Sequence, residues 1–127
     1  MNILLVEDSR ILRDRLRRMI SGIPEAVLVA ETDNEAEARE LMRQFQPEVA
    51  VVDLRLRSGS GLTVLEHIKA SYPATIIIVL TNYGQAEYRS KCMDLGADYF
   101  FDKSTDIDAF ERLLGNLCQL EKFATSR

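Results

Sequence analysis

At 127 residues the chain has the length of a single folding unit, enough to bury a substantial core. Its 46% hydrophobic and 28% charged residues are the composition of a globular protein rather than a disordered one, and no apolar run nears the roughly 20 residues that span a bilayer. A net charge of -4 argues against broad nucleic-acid binding, which needs a basic surface to neutralise phosphates, so no direct nucleic-acid binding is expected.

The start, Met1-Asn2, lacks a basic segment followed by an apolar one, so a cytoplasmic protein without membrane attachment is expected. Cys92 and Cys118 fall in helical patterns with neither CxxC nor Cys/His spacing, which reads as two reduced, inert thiols.

In chain order, Ile3 to Val6 is a short continuous apolar run. Asp8-Ser9 then offers a helix cap, and apolar residues at 11, 12, 16, 19 and 20 mark an amphipathic helix. Arg10, Arg13, Arg15, Arg17 and Arg18 crowd this helix, either as a basic patch for an acidic partner or as a solvated face. Gly22 and Pro24 end it. A second strand is expected over Ala26 to Ala30, and Asp33-Asn34 caps a helix carrying Ala38, Leu41, Met42 and Phe45 that Pro47 stops.

Val49 to Val52 gives a third strand, followed by the loop Arg57-Ser58-Gly59-Ser60-Gly61 and a helix marked by Leu62, Leu65 and Ile68 that ends before Pro73. Ile76 to Leu80 precedes a helix from about Gln85 to Leu95, closed by Gly96. Tyr99 to Phe101 precedes a last helix from about Asp106 to Phe123. Five strand-helix units made of non-alternating apolar strands predict a doubly wound α/β fold, with a parallel sheet covered on both faces. By analogy with flavodoxin-like folds, a (βα)5 chain takes the strand order 2-1-3-4-5 and binds ligands at the carboxyl ends of its strands.

The polar residues fall where such a fold would gather them. Glu7 and Asp8 follow the first strand, Asp53 ends the third, Thr81 follows the fourth and Lys103 closely follows the fifth. Any one of these carboxylates alone is as easily a turn or helix-cap residue. Three carboxylates at one edge repel one another and call for a cation, and hard oxygen donors favour Mg²⁺ with several waters retained. Lys103 adds a positive charge and Thr81 a hydroxyl, which are the parts phosphoryl transfer uses.

Through Glu7-Asp8, Asp53-Leu54, Thr81 and Lys103 the chain resembles the receiver domains of two-component response regulators over nearly its whole length. Gly61, eight positions after Asp53, and Lys103, twenty-two after Thr81, match the family spacing. The resemblance implies a receiver domain over residues 1–123 with a tail at 124–127, here a single-domain regulator without an output domain. It implies that Asp53 is the nucleophile and phosphoacceptor, and that Asp8, Asp53 and the Arg55 carbonyl ligate Mg²⁺ while Glu7 holds a metal-bound water. It also implies that Thr81 and Lys103 bind the phosphoryl oxygens, with Thr81 and Phe100 forming the switch; a plain core aromatic is the alternative for Phe100.

The same resemblance implies a sensor histidine kinase or histidine phosphotransfer protein as phosphodonor. Output would run through the fourth helix, fifth strand and fifth helix, to a protein target or to a second copy. Arg55 and Tyr83 flank the expected phosphoryl position and offer no carboxylate or carboxamide to orient water, so slow self-dephosphorylation is expected. The only histidine, His67, reads as an exposed helix residue.

Three departures stand out. Arg57 replaces a common proline, which suggests a less fixed backbone after Asp53. Ser104 replaces the proline that follows the lysine, leaving open a peptide bond that is often cis in the family, and Asn82 stands where a small residue is usual. Rival functions fit less well. An aspartyl-phosphate phosphatase would need a second carboxylate where Arg55 stands, and a flavodoxin phosphate loop would meet Glu7-Asp8. A domain that kept the fold but lost the chemistry would not retain the full residue set.

Overall fold

The computed structural model describes residues 1–82 and 86–125, with side chains as far as 122. Strands and helices alternate as β1 (Asn2–Val6), α1 (Arg10–Ser21), β2 (Val27–Thr32), α2 (Glu35–Phe45), β3 (Val49–Val52), α3 (Gly61–Ser71), β4 (Ile76–Thr81), α4 (Ala86–Asp94), β5 (Tyr99–Asp102) and α5 (Ile107–Thr125). The sheet is parallel throughout, in the order β2-β1-β3-β4-β5. The doubly wound five-stranded architecture is therefore the one expected.

The two-residue period of a strand divides the core. Leu4, Val6, Ala50, Val52, Ile77 and Val79 pack on one face, against Ala38, Met42, Leu65, Ile68 and Cys92. Ile3, Leu5, Val49, Val51, Ile78 and Leu80 pack on the other, against Leu16, Ile20, Phe110 and Leu114. With both faces covered, β1, β3 and β4 are buried along nearly their whole length, which is why they read as continuous hydrophobic runs. Each fully buried Leu, Ile or Phe contributes about 1.5–3 kcal/mol of transfer free energy.

The chain passes from β1 outward to β2, then crosses to β3 on the opposite side of β1. That reversal opens a crevice at the carboxyl ends of β1 and β3, where Glu7, Asp8 and Asp53 emerge. The helix caps divide the labour within each polar pair. Ser9 Oγ accepts the Leu12 N–H and Asn34 Oδ1 accepts the Glu37 N–H, so the neighbouring Asp8 and Asp33 are not the caps. Ser60 caps α3.

Several boundaries differ from expectation. β2 continues to Thr32 because Glu31 and Thr32 pair with Leu5 and Val6. α5 runs to Thr125, since no Gly or Pro follows Phe123, and the expected tail boundary at 123 falls inside the helix. The expected start of the fourth helix at Gln85 lies outside the described residues. Ile11 is 83% exposed, one position off the buried stripe of Leu16 and Ile20. His67 is half-buried rather than exposed: its Nδ1 is 3.3 Å from Arg39 Nη1, and its ring meets Tyr72 edge-on. Burial, then the Arg39 charge, lowers its pKa.

Candidate functional site

Each polar residue at the crevice is placed by continuation of the sheet. The Glu7 N–H donates to Thr32 O at 2.9 Å, extending β1 beside β2, and the Asp53 N–H donates to Val6 O at 2.8 Å, extending β3 beside β1. The Lys103 N–H donates to Thr81 O at 2.9 Å, carrying β5 one residue further along β4. Because alternate strand residues face opposite ways, these extensions decide which side chains turn inward. Glu7, Asp53 and Thr81 are buried, whereas Asp8 and Asn82 are exposed.

Lys103 joins the buried carboxylates. Its Nζ lies 2.8 Å from Glu7 Oε1 and 2.9 Å from Asp53 Oδ2. The second Glu7 oxygen accepts the Ser9 N–H at 2.8 Å. Burial, then repulsion by Asp53, raises the Glu7 pKa above its usual value against the pull of Lys103. Burial works against the Lys103 ammonium, but its bonds to Glu7 and Asp53 outweigh this and raise its pKa. The three side chains border a cleft of about 210 Å³, lined also by Asp8, Ser9, Arg55 and Asn82. Larger grooves exist, one of about 510 Å³ between the α1–β2 turn and α5, but it is this smaller cleft that Glu7, Asp53 and Lys103 border.

Of the expected site residues, Glu7, Asp8, Asp53, Arg55 and Lys103 border this one cleft, while Thr81 is buried at the end of β4 and is not among its lining residues. Oxygen donors from Asp8, Asp53 and the Arg55 backbone suit a hard divalent ion that keeps most of its waters. Among the described residues, no three His, Cys, Asp or Glu side chains form a cage of their own for an ion. Phe100 is buried, with the Arg89 guanidinium of α4 5.6 Å from its ring centroid. The adjacent Phe101 packs edge-on against Phe110 on the other face of the sheet. Tyr83 lies outside the described residues.

Two groups of residues named in the sequence make supporting contacts that the sequence reading did not foresee. Arg13 folds back from α1, and its Nη1 donates to the carbonyls of Glu7 and Asp8 at 2.9 and 3.2 Å. Arg17 pairs with Glu31 and Asp14. Arg18 Nε also donates to Asp14 O at 3.4 Å, so three of the five α1 arginines are engaged within the fold, which favours the solvated-face reading over a free basic patch. The second group borders the loop after Asp53. The Arg57 N–H donates to Asp33 O at 2.9 Å, and its Nε lies 3.1 Å from Asp33 Oδ2, so the backbone expected to be looser is tied to the β2–α2 corner. After Lys103, Ser104 is joined by a trans bond and donates its N–H to Asp102 Oδ1 at 2.8 Å. Apart from the i,i+3 pair Asp14–Arg17, these partners are distant in sequence or depend on loop geometry, and no residue pattern signals them.

A parallel α/β sheet with a carboxylate-lysine cleft at its switch point defines a class of phosphate-handling folds, and the comparisons narrow it. Residues 3–114 match the response regulator receiver domain, and the chain belongs to that family. It is 37% identical over 107 residues to the acid tolerance regulatory protein ActR of Rhizobium meliloti, covering 84% of this chain and 54% of that protein. It is 34% identical over 110 residues to a cyclic di-GMP phosphodiesterase of Thermotoga maritima, covering 85% of this chain and 28% of that one. The chain thus spans about half or less of the length of these relatives. Among solved structures, a LuxR-family two-component response regulator from Aurantimonas sp. SI85-9A1 superposes with a TM-score of 0.85 at 29% identity, covering 93% of this chain and 84% of that one. Receiver domains are signalling switches of two-component systems and generally bind Mg²⁺ at the phosphorylation site. Among the described residues, no helix is long and apolar enough to cross a membrane.

Proposed function

We propose that this domain accepts a phosphoryl group on Asp53, from a histidine kinase or histidine phosphotransfer protein, and signals by a change of surface. The observation that carries this reading is the Lys103 ammonium held between Glu7 and Asp53 at the mouth of a cleft that Asp8 also borders. An Asp53 carboxylate oxygen attacks the phosphorus in line. The new O–P bond forms as the P–N bond to the donor imidazole breaks, and the imidazole nitrogen takes a proton from solvent. Asp8, Asp53 and the Arg55 carbonyl would hold Mg²⁺ beside Glu7, and the bound ion would neutralise charge on the phosphoryl oxygens. Lys103 exchanges its contact with Asp53 for a phosphoryl oxygen, and the Thr81 hydroxyl donates to another.

Output is assigned to α4, β5 and α5, where Met93, Tyr99 and Leu120 are exposed apolar side chains that a protein target or a second copy would meet. Phe100 lies beneath this surface, already buried and covered by Arg89, so a shift of Thr81 would reach α4 through the Phe100–Arg89 contact. The test is intact-mass measurement after incubation with Mg²⁺ and acetyl phosphate. Wild type gains one acid-labile phosphoryl group and Asp53→Asn gains none; equal labelling of the mutant would refute the assignment.

A further inference from the structure

The residue at 57 in this chain is not the proline common among receivers, yet the loop that follows Asp53 is held at several points, all of them on the β2–α2 corner or on the loop's own base. The Arg57 N–H donates to Asp33 O, a bond that a proline there would remove, and the Arg57 guanidinium pairs with the Asp33 carboxylate. The Glu35 N–H, at the first position of α2, donates to Ser58 O at 3.0 Å. The Glu35 side chain then reaches back across the loop: its Oε1 accepts the Ser60 N–H at 3.0 Å, while Oε2 lies 3.6 Å from Arg39.

The loop is shaped to accept this carboxylate. Gly59 has a φ of +84°, and a Cβ there would stand 2.4 Å from Glu35 Cβ and 2.7 Å from its Oε1. Ser60 in turn bridges to Arg55 in an antiparallel pairing, and the Gly61 N–H donates to Leu54 O at 2.9 Å. A continuous path therefore runs from Glu35 through Ser60 to the backbone of Arg55, whose carbonyl is the proposed Mg²⁺ ligand.

We infer that Glu35 is a positioning residue for the phosphorylation site, fixing the Arg55 carbonyl by holding Ser60, in a chain that lacks the proline brace. The inference rests on the Mg²⁺ site proposed above. Groups that orient a metal ligand from behind typically change affinity by tenfold or more when removed. The bond to Ser60 needs only an acceptor oxygen, which a glutamine at 35 retains and an alanine does not.

The test uses the full chain, with amide NMR and hydrogen exchange first without metal and then during titration with MgCl₂. Glu35→Ala should lose exchange protection at the Ser60 amide before any metal is added, and its Mg²⁺ dissociation constant should rise about tenfold. Glu35→Gln should stay near wild type in both, which a general loss of stability or of the Arg39 ion pair would not produce. Gly59→Ala, which pushes on the same contact from the loop side, should weaken Mg²⁺ binding as Glu35→Ala does, and provides the measurement should the latter fold poorly. Unchanged Mg²⁺ affinity in Glu35→Ala or in Gly59→Ala overturns the inference while leaving the metal site standing, and so does a Glu35→Gln protein as impaired as Glu35→Ala. A wild-type chain whose Glu7, Asp8, Asp53 and Arg55 signals do not respond to Mg²⁺ overturns the site and the inference together.

Discussion

Replacing Lys103 by alanine leaves the Glu7 and Asp53 side chains, 2% and 7% exposed, without the cation that both now contact. Removing one partner from a buried ion pair costs about 3–5 kcal/mol. The lower end applies here, because the cleft is open beside Asp8 and Glu7 can relieve part of the repulsion by taking up a proton. A loss of about 3 kcal/mol, at roughly 3–4 °C per kcal/mol for a chain of this length, lowers the thermal midpoint by about 10 °C near neutral pH. The pH dependence identifies the cause. Glu7 titrates above its usual 4.5 through burial and then Asp53, and loss of Lys103 removes two influences that hold it down, so its pKa rises further. A carboxyl whose folded pKa is raised holds its proton more tightly in the native state. Its contribution to stability is therefore most favourable below 4.5 and is lost as pH rises through the raised folded value. Melting curves of metal-free protein, followed by circular dichroism across this range, should show the mutant's deficit against wild type shrinking as pH falls. The deficit should also shrink at neutral pH when Glu7→Gln is added. A Lys103→Ala protein that melts with wild type near neutrality, or whose deficit is unmoved by acid and by Glu7→Gln, refutes the reasoning.

Gly61→Ala has no room for its methyl group, which would stand 1.9 Å from the Asp53 carbonyl oxygen; urea unfolding should show a loss of about 1–3 kcal/mol or more, together with slower phosphorylation as Asp53 is displaced. Arg55 is exposed and lines the cleft, so Arg55→Ala should admit water and speed acyl-phosphate decay in a time course of the phosphorylated protein; unchanged or slower decay removes the shielding role.

The fold was readable because the central strands β1, β3 and β4 are buried on both faces and helices α1, α2 and α3 begin at Ser9, Asn34 and Ser60. Val49 to Val52 contains no polar residue to misplace, and its observed limits are those read from sequence. Where the sheet borrows polar residues the reading stopped early: Glu31 interrupts the apolar run, and it joins β2 with Thr32 because β1 pairs beside them. Ile11 failed differently. Its hydrophobicity fits a core helix, but its angular position on α1 turns it away from the Leu16–Ile20 stripe, and only the packing of that helix reveals this.

The site divides along the same line. A parallel sheet brings all strand ends to one edge, so the meeting of Glu7, Asp53 and Lys103 could be inferred from the strand boundaries alone. Which carboxylate would meet the lysine could not, because Glu7 and Asp8 are adjacent acids with equal claims in sequence. The Glu7 N–H bond to Thr32 O settles it by continuing β1 one residue, turning Glu7 into the cleft and leaving Asp8 at its open side. The pair is thereby split into two environments, one buried with a raised pKa and one exposed. That asymmetry matters for a site meant to receive negative charge. Lys103 holds Glu7 and Asp53 apart from a direct clash while Asp8 keeps a hydrated carboxylate at the entrance. Under the proposed function, Asp8 and Asp53 would hold the cation, and Lys103, released from Asp53, would be left to meet the phosphoryl oxygens.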